Sequence, residues 1–180
     1  METIELLAWL MDDAFEGAGL ERTNEAQSLM ANLATVPDEL WRAHLPGSVR
    51  TIESIALHVG GAKRIYADHA FEDGALTYGS PESTPWRPGT APMAEVLPWL
   101  REQHARVMAH VRALRPEDLL EQRHANWGEN RETRWLLSVL LQHDLYHAGE
   151  INHLRSLLDG EDRWRWQIDR SVDPDPGPSR

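Results

Sequence analysis

The chain has 180 residues, 41% hydrophobic and 26% charged, which suits one soluble domain around a single sizeable core. Its formal net charge of -11 argues against a nucleic-acid or anionic-membrane surface, and its 0 cysteines exclude disulfides, thiolate metal sites and a cysteine nucleophile. The acidic start Met1-Glu2-Thr3-Ile4-Glu5 precedes no long apolar run, and no stretch reaches the ~20 apolar residues of a membrane span, so a cytoplasmic protein without a signal peptide is expected.

The spacing predicts a first amphipathic helix over residues 3–16, with Leu6, Leu7, Leu10, Met11 and Phe15 as its apolar face and Gly17 and Gly19 interrupting it. Thr23 is placed to cap a continuation through Leu33, whose buried side is Leu29 and Leu33. Pro37-Asp38-Glu39 starts a short turn that Trp41 and Leu45 hold down and Pro46-Gly47-Ser48 ends. Thr51 is an N-cap for a second helix, with Glu53 in its positive first turn. Ile52, Ile55, Val59, Ala62, Ile65 and Tyr66 trace its seam, and His58 lies beside that seam. His69 returns to the same side about 16 Å along the axis, too far to share a metal with His58, and reads as a surface or pocket-rim residue.

Residues 72–91 are rich in Gly and Pro and have no period. This long connection is expected to carry the chain back along the bundle, so that the second and third helices run in one direction, or to cover a pocket with Tyr78 and Trp86. The third helix is expected to start near Pro92 with the seam Met93, Leu97, Leu100, His104, Val107, Val111 and Leu114, and Pro98 should kink or delay its first turn. His104 on that seam is a rival or additional metal ligand. With no partner histidine on its own face, it reads first as a half-buried ring bonded to a carbonyl or a Tyr hydroxyl. His110 is expected to face outward, residues 115–131 to form another connection, and Thr133 to cap the last helix.

The last helix carries the chemistry. Its apolar stripe runs Leu136, Leu140, Ile151, Leu154 and Leu158, and His143 and His147 fall on the same stripe one turn apart. Burying such rings without partners costs about 1–3 kcal/mol each. Either they are core histidines bonded to backbone or water, or a metal takes both nitrogens, since neutral imidazole is the usual ligand of zinc, nickel and iron. Asp159-Gly160 stops the helix. Trp164 and Trp166 alternate with Arg, as in a short extended segment over the bundle or a dimer contact. Residues 171–180 read as a disordered Pro/Asp tail, leaving 1–170 as the domain.

His143-Asp144-Leu-Tyr-His147 also matches the protease pattern H-E-x-x-H with Asp for Glu, and His153 has the offset of a third ligand. Three features argue against it. Gly149 precedes Glu150 where the extended pattern needs a glycine, the period of Ile151, Leu154 and Leu158 turns His153 away, and Asp144 is a methylene short. His58 is the better third ligand, because bundle cores assemble metal sites from facing helices. Three histidines leave a coordination position open, the layout of a catalytic rather than a closed structural site.

His143-Asp-Leu-Tyr-His147-Ala-Gly149-Glu150-Ile-Asn resembles the last-helix signature of the DinB-like superfamily of damage-inducible, YfiT-like metal enzymes, which is close to H-[ED]-x-x-H-x-G-[QE]-I. Thr51-Ile-Glu-Ser-Ile-Ala-Leu-His58 resembles its second signature, S-I-x-x-I/L-x-x-H, and the two stand in the family's order. Thr51 replaces the commoner Ser, and the usual Trp just before it is absent; neither touches a ligand position. The resemblance covers about residues 4–158. It implies an all-α, four-helix bundle in up-down-down-up order, a long crossover loop between helices 2 and 3, and a homodimer. It also implies a divalent metal, zinc or nickel, held by His58, His143 and His147.

Characterised relatives are thiol transferases that use bacillithiol or mycothiol, and a mycothiol-dependent isomerase. The resemblance therefore implies a small-molecule substrate and a low-molecular-weight thiol cosubstrate, which agrees with a chain that has no sulfur nucleophile of its own. Asp144 is the expected catalytic residue, orienting a ligand or bound water, with a solvated helix charge as the other reading. Glu150 reads as a partner behind a ligand or as simply exposed. The expected function is a metal-dependent thiol S-transferase or hydrolase. The alternatives are a non-catalytic metal-binding or stress-response bundle, and a bundle whose histidines hold no metal.

Overall fold

The computed structural model describes residues 2–17 and 28–160. The described chain is mostly α-helical, with one small ribbon. Helix α1 (Thr3–Glu16) ends at Gly17, whose left-handed φ of 79° lets its N–H reach the Asp13 carbonyl. Its buried face is Ile4, Ala8, Met11, Ala14 and Phe15; Leu6 and Leu10, expected inside, are 41% and 38% exposed. The small side chains Ala8 and Ala14 face inward, and the larger leucines were the wrong guide to the helix's rotation.

The expected Thr23 cap lies outside the described residues, as do Trp164, Trp166 and the 171–180 tail. Within them, α2 (Leu29–Ala34) is capped by Ser28, whose Oγ accepts from Ala31 N. After a 3-10 turn at Asp38–Leu40, α3 (Ile52–Phe71) begins at a reciprocal cap. Thr51 Oγ1 accepts from Ser54 N at 3.1 Å, and Ser54 Oγ accepts from Thr51 N at 3.0 Å. Helix α4 (Met93–Ala113) starts directly after Pro92 and runs through Pro98 without the expected delay. His110, expected outside, is half-buried; its ring stacks on Phe71 at 4.9 Å and its Nε2 lies 3.2 Å from Glu72.

The second connection is more ordered than its sequence suggests. Strands β1 (Gln122–His124) and β2 (Asn130–Glu132) pair antiparallel, Arg123 opposite Arg131. Helix α5 (Thr133–Asp159) then runs unbroken to Gly160. Thr133 does not cap it: it is the first helical residue, fully buried, and its hydroxyl donates to the Glu121 carbonyl at 3.0 Å.

Two apolar clusters form the core, one around Phe15, Ile52, Leu100 and Ile151, the other around Met11, Val107, Met108 and Leu140. At Gly60 an added Cβ would lie 2.2 Å from the Trp99 ring, so the missing side chain is what lets α3 and α4 approach so closely. Farther along, Lys63 meets His104 and Phe71 meets His110. Against α5 the pairs are Arg50 with Glu150, His58 with His143, and Lys63 with Asp144. Against α1, Arg101 pairs with Glu16 and Arg112 with Asp12.

Candidate metal centre

His143 and His147 stand one turn apart on α5, and α3 supplies His58 across the groove. The Nε2 atom of His143 lies 3.1 Å from that of His58 and 3.2 Å from that of His147. One ring nitrogen from each of the three lies within 4.8 Å of the others, so the group could hold a metal ion. His147 is buried, His143 half-buried, and His58 open to solvent.

The surroundings set the tautomer of His147 and disfavour the charged form of the other two rings. His147 Nδ1–H donates to Glu150 Oε2 at 2.7 Å, and Arg50 donates to the other Glu150 oxygen at 2.7 Å. A carboxylate on Nδ1 leaves the Nε2 lone pair of His147 aimed at the other two rings. Burial pushes the His143 imidazole down to about 3, helped by His147, His58 and Lys63. Burial also lowers His58, with His147 and Arg50 adding to the effect and Glu150 opposing it. At neutral pH His58 and His143 are therefore neutral rings, the form that binds metals.

Lone pairs converging at this spacing repel unless a proton or cation lies between them. Two nitrogens bound tetrahedrally to one zinc at about 2.0–2.1 Å stand about 3.3 Å apart, close to the two spacings that His143 makes with His58 and His147. The donor set fits a borderline divalent ion such as zinc or nickel. The buried Nδ1 of His143 has no hydrogen-bond partner among the described residues, so only His147 has a carboxylate behind it.

Asp144 sits elsewhere than its sequence position suggests. It is 1% exposed, and its Oδ2 accepts from Lys63 Nζ at 2.6 Å; Lys63, the chain's one lysine, is 0% exposed. The solvated-charge reading of Asp144 is thereby overturned. Burial pushes its carboxyl up, and the Lys63 ammonium draws it back. Lys63 also lies 3.4 Å from His104 Nδ1 and 4.9 Å from the centre of the Phe15 ring. His104 stacks on Phe15 at 4.0 Å, and its Nε2 faces Asp12 at 3.0 Å. His104 thus belongs to a charge network running from Asp144 to Asp12 and Arg112, and the rival-ligand reading fails.

His69 is bonded to the Leu76 carbonyl at 2.8 Å and helps anchor the 72–91 connection, while His153 is exposed on α5. Sequence reasoning missed Lys63, Arg50 and Glu53. The one signal for Lys63 was a lone lysine inside an apolar seam. Glu53 is 1% exposed and accepts from the backbone of Gly89 and Ala91 and from Arg42, so it ties down the 72–91 connection rather than serving only the helix start.

The centre opens on two sides. On the His58 side a cavity of about 490 Å³ lies between α3 and the 72–91 connection, with Tyr78 and Trp86 in its lining. On the His143 side an open groove of about 590 Å³ is lined by Val139, Gln142, Leu145 and Tyr146. No described helix is long and apolar enough to cross a membrane. The model of one protein family, the DinB superfamily, matches residues 21–151, a span that takes in all three histidines and Glu150. A search among curated proteins gave no match.

Proposed function

This chain belongs to the DinB superfamily, and from that premise we propose that it is a metal-dependent transferase or hydrolase of small molecules. The observation that carries the reading is the convergence of three Nε2 atoms, with His147 held in the metal-binding tautomer by Glu150. A zinc or nickel ion held by His58, His143 and His147 would keep a position open and lower the pKa of a water or small thiol bound there.

The chain's own residues supply the rest. Glu150 and Arg50 orient His147. With 0 cysteines, a sulfur nucleophile has to arrive as a low-molecular-weight thiol. Openings on two sides of the centre favour a transferase, since two reactants need separate approaches to one point. Asp144 enters as a positioning residue: bonded to Lys63 in the core, it sets the place of α5 against α3 one residue from His143.

The order of side-chain pairs supports an up-down-down-up bundle, with residues 72–91 as the crossover. Leu6, Trp9 and Leu10 leave an exposed apolar row on α1, which supports a homodimer. The charge of -11 speaks against nucleic acid and anionic membranes as partners and is in keeping with a cytoplasmic protein. The alternative, a non-catalytic metal-binding or stress-response bundle, keeps the ion without the chemistry.

Elemental analysis of protein purified without chelators should find about one zinc or nickel per chain; none would end the metal reading. With that ion loaded, conjugation of small thiols to electrophiles and hydrolysis of esters are followed in the parent and in His147→Ala. Turnover that the alanine variant loses supports the enzyme. An equally active variant removes the proposed mechanism, and a metal-loaded but inert parent favours the alternative.

A further inference from the structure

The crossover beside His58 is a fixed wall. Its start is held where Asp68 Oδ2 accepts from Leu76 N at 2.9 Å. Its end is held by Glu53, and Trp41 Nε1 and Arg42 Nη2 donate to the Ala91 carbonyl at 2.8 and 2.7 Å. Between these anchors the wall presses on α3 at Gly61, where an added Cβ would lie 2.7 Å from Thr84 Oγ1. The 490 Å³ cavity is thus built before any ligand arrives, and its size falls within the about 300–1,000 Å³ of small-molecule sites.

Its chemistry departs from that of the chain. The protein has 29 acidic and 18 basic residues, yet no carboxylate lines this cavity, and Arg87 is its one permanently charged group. Arg87 is exposed, and among the described residues no carboxylate pairs with it. Leu57, Trp86 and three prolines make the surrounding surface apolar. The Trp86 ring is itself held edge-on against Trp99 at 5.5 Å. An acidic surface repels anions at a distance, whereas a free guanidinium in an apolar, carboxylate-free pocket attracts one and matches a carboxylate with two parallel N–H groups.

We propose that this cavity binds an organic carboxylate, its apolar body against Trp86 and Leu57, its anion on Arg87, and its other end toward His58. That this molecule is the substrate rests on the metal reading; its binding does not.

The test uses phenylacetate and phenylacetamide, equal in shape and different in charge. Each is titrated calorimetrically into the full chain, zinc-loaded and after chelation, in the parent and in Arg87→Gln. The chelated parent should bind the acid about tenfold or more tightly than the amide, as a charge-assisted hydrogen bond of this kind provides. Arg87→Gln should erase that preference while zinc uptake and amide affinity stay unchanged. Equal affinities in the parent, no saturable binding of either probe, or a preference that survives Arg87→Gln would overturn the proposal. A preference in a chain that takes up neither zinc nor nickel keeps the pocket and removes the metal reading; zinc uptake without the preference does the reverse.

Discussion

Helices α3 and α5 carry two polar clusters of opposite design, the second extended by His104 of α4 and Asp12 of α1. His58, His143 and His147 bring three ring nitrogens close to one point. Nearby, Lys63, Asp144, His104 and Asp12 alternate positive or donor groups with acceptors, each meeting its complement at 2.6–3.4 Å. The second cluster pairs its charges without a guest, although the buried Oδ1 of Asp144 has no hydrogen-bond partner among the described residues. The first has three like groups, and a proton or a cation between them would reconcile them. Burial alone therefore does not mark a functional site; what marks it is a set of groups whose mutual arrangement makes sense only with something added.

Deleting one ligand tests this contrast most strongly. His147→Ala should bind zinc or nickel more than about a hundredfold more weakly, since loss of a mere partner behind a ligand already costs about 10–100-fold. Competition against a chromogenic chelator reads the change, and an affinity within tenfold of the parent would erase the difference between the clusters. In the second cluster the same kind of deletion should act on folding instead. Lys63→Met strands a buried carboxylate and should cost about 3–5 kcal/mol in urea unfolding of the metal-free chain. Lys63→Met with Asp144→Leu should recover most of that, because both charges leave together. A single variant as stable as the parent would mean the pair is not buried as described.

The second cluster also has a pH signature. Burial, then Lys63, push His104 down to about 4, against the pull of Asp12. A free histidine titrates near 6.5, so between these values the unfolded chain holds a proton that the folded chain lacks. The resulting stability is complete above pH 6.5 and is lost as pH falls toward about 4, by at most about 3 kcal/mol. His143 adds a loss in the same direction, so the informative measurement is a comparison. The acid limb of His104→Asn should be shallower than that of the parent, and parallel limbs would remove His104 from the network.

The two clusters were unequally legible in the sequence. His143 and His147 share a stripe that repeats over most of the 27-residue α5, and His58 follows a recognisable cap on α3. Long periods fix which face turns inward, so the pairing of His143 with His147 is legible; His58, exposed beside its seam, follows only from the habit of bundle cores and from the family resemblance. A charge inside a seam ordinarily reads as exposed, so the pairing of Lys63 with Asp144 could not be read. The β1–β2 ribbon escaped for a different reason: strands of three residues are too short to show alternation. On α1 the error was one of rotation, because Ala8 and Ala14 pack inward where the pattern of leucines pointed elsewhere.

The smallest effect concerns the one carboxylate that serves the histidine cluster directly. Glu150 accepts from His147 Nδ1 and from Arg50, and so bridges the centre to the surface. Glu150→Gln keeps the shape but removes the charge, and its amide can turn a donor toward Nδ1. His147 is then free to adopt the other tautomer, with a hydrogen on the nitrogen that should bind metal. Affinity for zinc should fall about 10–100-fold while urea stability of the metal-free chain stays within about 1 kcal/mol, because the carboxylate is partly exposed. Arg50→Gln should have the weaker effect, since it loosens Glu150 without altering what His147 meets. If Glu150→Gln lowers stability and leaves zinc affinity intact, Glu150 belongs with the Lys63–Asp144 cluster, and His147 owes its orientation to packing alone.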